Sequence, residues 1–309
     1  MLNRYKGCLV GAILGDALGM PNETTTARLS TAPSFARAYK GHPNHDLLPG
    51  QYTDDGQLIL IASRILAEGD WDNTEYAKEL LKTYTLQKFR YPDGTTFAAC
   101  KKMEKTGDLT GSGIYSDSTG CLGLAIPFAL AYKDRKEMAK ELLTACSVTH
   151  THPGVHAGVI GYALFLNTLL ETSDVEAAFS ALFTAAENMD PMLAGKIANA
   201  VRIEKTGMPT ADAASIIGNS SSIYQTLPLA VFFCRRYFIP RELLGMSSTC
   251  GANADTVSLL CGAFTGARFG LSALPEEMIP ALERAGIFAD LAEKLMNRKS
   301  EIPDEESGE

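Results

Sequence analysis

The chain has no excess of positive charge, no paired-cysteine motif, no long apolar run and no linker, and each gap removes a class of function. Its 36 acidic against 28 basic residues give a formal net charge of −8. That balance argues against binding duplex nucleic acid, because affinity there comes largely from Lys and Arg neutralising phosphates. A small anionic ligand can still be held locally. The seven cysteines (Cys8, Cys100, Cys121, Cys146, Cys234, Cys250, Cys261) are an odd number without CxxC spacing. Neither a disulfide framework nor a zinc site is expected, and most are read as core thiols. No unbroken apolar run reaches the roughly 18 residues that a bilayer crossing needs. The start, Met1-Leu2-Asn3-Arg4-Tyr5-Lys6-Gly7, lacks a signal peptide's apolar region. A cytoplasmic location with no membrane contact is the expectation.

What is present is a large apolar fraction, 46% of 309 residues, ample for a sizeable core. No stretch rich in Pro, Gly and Ser divides it, so residues 1–298 are expected to form a single domain. Residues 299–309 end in ten positions, Ser300 to Glu309, without a basic side chain, and read as a solvated acidic tail. Apolar residues recur at helical spacing and predict helices over 5–18, 56–68, 74–89, 121–132, 136–146, 154–170, 175–188, 192–206, 227–234, 241–247, 256–269 and 276–297. No set of strands emerges, so the fold class is all-α, a multi-helix bundle. Three segments, 7–19, 120–131 and 262–267, are unusually rich in small residues. Glycine inside a helix costs about 1 kcal/mol relative to Ala, so its repetition predicts helices in close approach.

Two acidic segments carry the strongest chemical signal: Tyr52-Thr53-Asp54-Asp55-Gly56-Gln57 and Gly251-Ala252-Asn253-Ala254-Asp255-Thr256, each opening a helical run. The simple reading of Thr53, Asp54 and Asp55 is a helix N-cap. The second segment shifts the balance, since adjacent carboxylates repel unless a hard cation neutralises them. Glu23 follows Pro21, which should end the first helix and leave the carboxylate on a loop. Glu23, Asp54, Asp55 and Asp255 supply enough charge to balance two divalent ions, with Thr53, Asn253 and Thr256 as neutral oxygen donors. An all-oxygen set favours Mg²⁺ or Mn²⁺ over zinc. His150 and His152 fall at a break between two apolar helices, where a hydrogen-bonded helix-end role or a transition-metal pair are both open. Asp117, Ser118, Thr119 and Gly120 precede a helical run and suit an anion. Ser220 and Tyr224 belong to a polar loop with possible ligand contacts, Tyr224 being equally readable as a packing aromatic.

In order and spacing, Gly7 to Gly19 with Glu23, Tyr52 to Asp55, Thr149-His150-Thr151-His152-Pro153 and Gly251 to Gly270 resemble the ADP-ribosylglycohydrolase family, which includes the dinitrogenase reductase-activating glycohydrolases. The resemblance spans nearly the whole chain. It implies an all-α orthogonal bundle, a binuclear Mg²⁺ or Mn²⁺ centre, and hydrolysis of a glycosidic bond at the distal ribose of ADP-ribose or an ADP-ribosylated acceptor. By position it implies Glu23, Thr53, Asp54, Asp55, Asn253, Asp255 and Thr256 as metal ligands. It sets a histidine of the 149–153 segment, His150 in preference to His152, beside the substrate. In the mechanism that follows, Glu23 or Asp55 moves the proton. His42, His45 and His156 carry no comparable signal and read as structural or exposed. Two departures stand out: Asn253 occupies a position where the family usually has Asp, weakening one of the two ions, and 118–124 lacks the family's Asn and Arg. A non-catalytic ADP-ribose or nucleotide-binding role, a crystallin-like structural role and hydrolysis of another ribosyl compound are the competing readings. The assembly is expected to be a monomer or a small homo-oligomer.

Overall fold

Gly7, Gly11, Gly15 and Gly19 recur every fourth residue, so they lie on one face of the first helix, α1 (Leu2–Gly19). That face meets the backbone of α13 (Ala254–Phe269) directly. A methyl group at Gly11 would lie 2.3 Å from the carbonyl oxygen of Gly262, at Gly15 2.0 Å from that of Ser258, and at Gly19 2.3 Å from that of Ala254. The early part of α1 meets the end of α13, so the two helices run antiparallel, and the end of α1 arrives at the start of α13. Glu23, four residues beyond the end of α1, is thereby delivered beside the acidic segment that opens α13.

The computed structural model describes residues 1–301. The other helices are α2 (Asp54–Glu68), α3 (Asn73–Thr85), α4 (Gly94–Thr106), α5 (Ala125–Ala131), α6 (Arg135–Ser147), α7 (Pro153–Thr172), α8 (Val175–Met189), α9 (Pro191–Lys205), α10 (Thr210–Ile217), α11 (Ile223–Arg236), α12 (Pro240–Ser248) and α14 (Ala285–Glu301). No strand occurs among the described residues; two isolated bridges, Ile114 with His150 and Ser118 with Ser222, hold the loop before α5 in place. The architecture is the all-α single domain expected from the helical periodicity.

Helices α4 and α10 lie outside the periodic segments. Helix α4 opens Gly-Thr-Thr, a weak helical start by propensity, and is fixed by Asp93, whose carboxylate accepts from the Thr95 and Thr96 amides. The expected helix 276–297 is broken in two: a 3-10 turn over Glu276–Ala281, then α14 after Arg284, whose φ is +57°. Helix α14 also runs past residue 298. Lys299, 8% exposed, pairs with Glu171 at 2.9 Å, so the start of the expected tail is helix, and residues 302–309 lie outside the described part. Helix α7 is 20 residues long with a mean hydropathy of 1.3, enough to cross a membrane by length and composition, although 83% of that window is buried inside the protein. A core helix is apolar all round for the same reason.

Candidate active site

Asp16, on α1 and fully buried, ties α1 to the start of α2. Its carboxylate accepts from the Thr53 amide at 3.1 Å and the Gly56 amide at 2.9 Å, satisfying donors that a helix start leaves free. Thr53 caps α2, its hydroxyl accepting from the Asp55 amide at 3.3 Å. Arg90 braces the same turn from outside. Its guanidinium donates to the Tyr52 carbonyl at 2.8 Å, forks onto Glu283 and lies 4.7 Å from the centre of the Tyr52 ring.

Across the site, Gly251 and Ala252 both take positive φ and lead into α13. The Thr24 amide donates to the Ala252 carbonyl at 2.8 Å and the Ala252 amide to the Thr25 carbonyl at 2.9 Å. This pairing fastens Glu23's neighbour to the start of α13. The result is a pocket of about 440 Å³ lined by Glu23, Asp54, Asp55, Asn253, Asp255 and Thr256, together with Thr119, Gly120 and Ser220. Nine of the residues singled out from the sequence therefore meet here.

Crowding and burial act on these acids in one direction. Asp255 is pushed up to about 6 by burial. Glu23 rises to about 10 through burial and then through the charges of Asp255, Asp54 and Asp16. Asp54 and Asp55 are raised well above the ordinary range, burial again being the main cause. Asp16 is pushed up to about 7 by burial and by Asp255. Such a cluster favours either protons or a bound cation. Thr256 donates its hydroxyl to Asp55 at 2.8 Å and the Asp93 amide donates to Asp54 at 3.1 Å. Asp255 Oδ1, in contrast, is buried without a hydrogen-bond partner, a costly state for a lone oxygen.

Among the described residues, no three His, Cys, Asp or Glu side chains are already gathered so as to hold a metal ion. The donor chemistry nevertheless fits a hard cation: four carboxyls, one of them with an orphaned oxygen, two hydroxyls and an amide oxygen. Asn253 spends both amide hydrogens on Thr119 (3.1 Å) and Thr226 (2.9 Å), which leaves Oδ1 as its only donor atom for a cation.

The remaining expected residues sit behind the wall. His150, fully buried, contacts the Ser118 hydroxyl at 3.1 Å and Asp93 at 3.3 Å through Nε2, and the Thr149 hydroxyl at 2.8 Å through Nδ1. Burial opposes its charged form, but Cys121 and Asp93 outweigh that and raise it to about 10. Asp93 is lowered despite its burial, by His150 and by donors from Thr96 and Ser118. His152 caps α7, its Nδ1 accepting from the Gly154 amide at 3.0 Å. Asp117 accepts from Ser222 at 2.6 Å, and Tyr224 donates to Asp190 at 2.7 Å; neither lines the pocket. Asp93 does line it and was not among the candidates. Its only sequence signal is Pro92-Asp93-Gly94, which reads as an ordinary turn.

The sequence profile described as ADP-ribosylglycohydrolase matches residues 1–304. An uncharacterized protein of Archaeoglobus fulgidus is 27% identical over 96% of each chain. ADP-ribosylhydrolase ARH3 of Danio rerio is 25% identical, covering 96% of this chain and 90% of its own. ADP-ribosylarginine hydrolase Tri1 of Serratia proteamaculans is 24% identical, covering 95% and 79%. A solved structure titled ADP-ribosylglycohydrolase-related protein complex superposes with a TM-score of 0.78 at 22% identity, over 96% of this chain and 98% of that one.

Proposed function

Because the chain belongs to the ADP-ribosylglycohydrolase family, we propose that it hydrolyses the glycosidic bond joining ADP-ribose to an acceptor, a protein side chain or a small molecule, with Mg²⁺ or Mn²⁺ in the acidic pocket. The observation that carries this reading is the convergence of Glu23, Asp54, Asp55 and Asp255 on one pocket wall, with Asp255 Oδ1 buried and unpartnered. Relatives named as ADP-ribosylhydrolase and ADP-ribosylarginine hydrolase support the bond type and differ in the acceptor.

Glu23, Thr53, Asp54, Asp55, Asn253, Asp255 and Thr256 would hold the cation. When bound, it neutralises the acids and supplies Lewis acidity toward the ribose hydroxyls and water. The chain's own part is positional and acid–base. Asp55, tethered by the Thr256 hydroxyl, keeps its carboxylate aimed into the pocket, where negative charge stabilises an oxocarbenium-like carbon. Glu23 takes a proton from water as the oxygen bonds to the anomeric carbon, and the bond to the acceptor breaks with its electron pair going to the acceptor, which then receives the proton that Glu23 took up. Thr119, Gly120 and Ser220 form the wall against which the sugar phosphates lie.

The test is release of free ADP-ribose from arginine-linked, serine-linked and nucleic-acid-linked substrates with Mg²⁺ or Mn²⁺ added. Asp54→Ala and Asp255→Ala should each abolish it, and full activity in either variant overturns the proposal. Binding of ADP-ribose with no release from any linkage favours the non-catalytic reading.

A further inference from the structure

We infer that His42 is a positioning residue that holds Glu23 in the pocket, an inference that rests on the hydrolytic reading above. The stretch from Thr24 to Gln51 contains no helix, yet His42, in its middle, is completely buried. Both ring nitrogens are engaged. The Asn44 amide donates to Nδ1 at 3.0 Å, so Nδ1 carries the lone pair and, in the neutral ring, Nε2 carries the hydrogen. Nε2 lies 3.1 Å from the Glu23 carbonyl oxygen and donates to it; Glu23 Oε2 is 3.9 Å away.

The ring is itself fixed. The His42 amide donates to the Tyr39 carbonyl at 3.0 Å and the His45 amide to the His42 carbonyl at 3.0 Å. The Tyr39 ring packs edge-on at 5.4 Å.

Glu23 needs such support. It follows a 3-10 turn of three residues and precedes Thr24, whose φ of +60° is costly for a β-branched residue. Its amide donates to Met20 at 3.3 Å and the Thr24 amide to Ala252 at 2.8 Å. The carbonyl is the side that His42 holds, and with all three fixed the direction in which the Glu23 side chain leaves the backbone is set. A neutral donor does this without adding positive charge to a wall built to receive a cation. A lysine or arginine here would compete for the same carboxylates.

The experiment compares His42→Gln, whose amide nitrogen reproduces the Nε2–H donor, with His42→Leu, which fills the space without one. With an ADP-ribosylated substrate and Mn²⁺, His42→Leu should lower kcat about 10- to 100-fold, the scale of an ångström-level misplacement. KM should stay within about two-fold, because the lost interaction serves the reaction and not binding. His42→Gln should recover most of kcat. A native kcat in His42→Leu, or equal losses in both variants, overturns the inference. Crystal structures of the two variants give a readout independent of turnover: the Glu23 carboxylate should stay on the pocket wall in His42→Gln and leave it in His42→Leu, and an unmoved Glu23 in His42→Leu overturns the inference. If the native protein releases no ADP-ribose, the hydrolytic reading alone falls, and these structures still decide the role of His42.

Discussion

Asp93 is acidic and half-buried, and yet its pKa goes down while its neighbours' go up. The difference is a charged partner: His150 faces Asp93, whereas Glu23, Asp54, Asp55 and Asp255 face one another. The pair joins the start of α4 to the 148–152 link between α6 and α7, and the Asp93 amide also holds Asp54, so it braces the pocket from behind. His150→Gln would leave the partly exposed Asp93 without its counter-charge, a loss of about 1–3 kcal/mol. The pH dependence has a definite sign. His150 is raised from 6.5 to about 10, so its contribution is complete below its unfolded value and fades as pH climbs toward 10. Asp93 is lowered from 3.8, so its contribution is present above that value and is lost as pH falls through the lowered one. The stability gap between native protein and His150→Gln, measured by urea unfolding, should therefore be widest near pH 5–6 and narrower at pH 9.5. A gap that widens with alkalinity would contradict this pairing. The contrast also marks what the sequence could tell. Acids placed just after a capping threonine announce themselves by type and position, but the partner of a histidine depends on burial and on a loop closed by a single bridge, neither of which leaves a local pattern. His42 and His150 were hard to read for that reason.

Helices α1 and α13 form the frame of the site, and here the sequence was more legible. Small residues at every fourth position announced a close approach, although not which helices would meet, because Gly7 to Gly19 and Gly262 to Gly266 suit any glycine-lined partner. The missing helices have a related cause: α4 owes its start to the Asp93 cap, and α10, eight residues long and without a side-chain cap, is held by the burial of Ala213, Ala214 and Ile217. The packing makes an element-level prediction. A methyl at Gly262 would lie 2.0 Å from the Gly11 carbonyl oxygen, and both atoms are backbone, so neither can move aside alone. Gly262→Ala should destabilise by about 1–3 kcal/mol or more, as overpacking does, and should lower the pocket's metal affinity because α13 carries Asp255. Gly195→Ala is the control, since that glycine sits inside α9 with open space where the methyl would go. It should stabilise by up to about 1 kcal/mol through helix propensity. Calorimetric melting of the two variants distinguishes the readings, and equal melting of native protein and Gly262→Ala would mean the seam is looser than its geometry.

At the scale of the whole molecule, the acidic pocket should make stability depend on pH in an unusual direction. Most proteins lose stability in acid because their carboxyls are held charged in the native state. Here Asp16 is raised from 3.8 to about 7, Asp255 from 3.8 to about 6 and Glu23 from 4.5 to about 10. A raised carboxyl binds its proton more tightly folded than unfolded, so the native state holds more protons than the unfolded chain across that window. Stability from these groups is complete below about pH 4 and declines as pH rises through the raised values. In a chelating buffer the melting temperature should thus be higher at pH 5 than at pH 8. Mn²⁺ replaces the missing protons as the neutralising charge, so it should raise melting more at pH 8 than at pH 5, by mass action on the folded state alone. Asp54→Asn and Asp255→Asn should each flatten the pH slope and weaken the Mn²⁺ response together. The coupling matters because both effects come from one source, carboxyls that are buried and crowded together in a single pocket. A metal-free protein more stable at pH 8 than at pH 5, with no Mn²⁺ effect, would mean that these acids are compensated within the fold and that the pocket has no need of a cation.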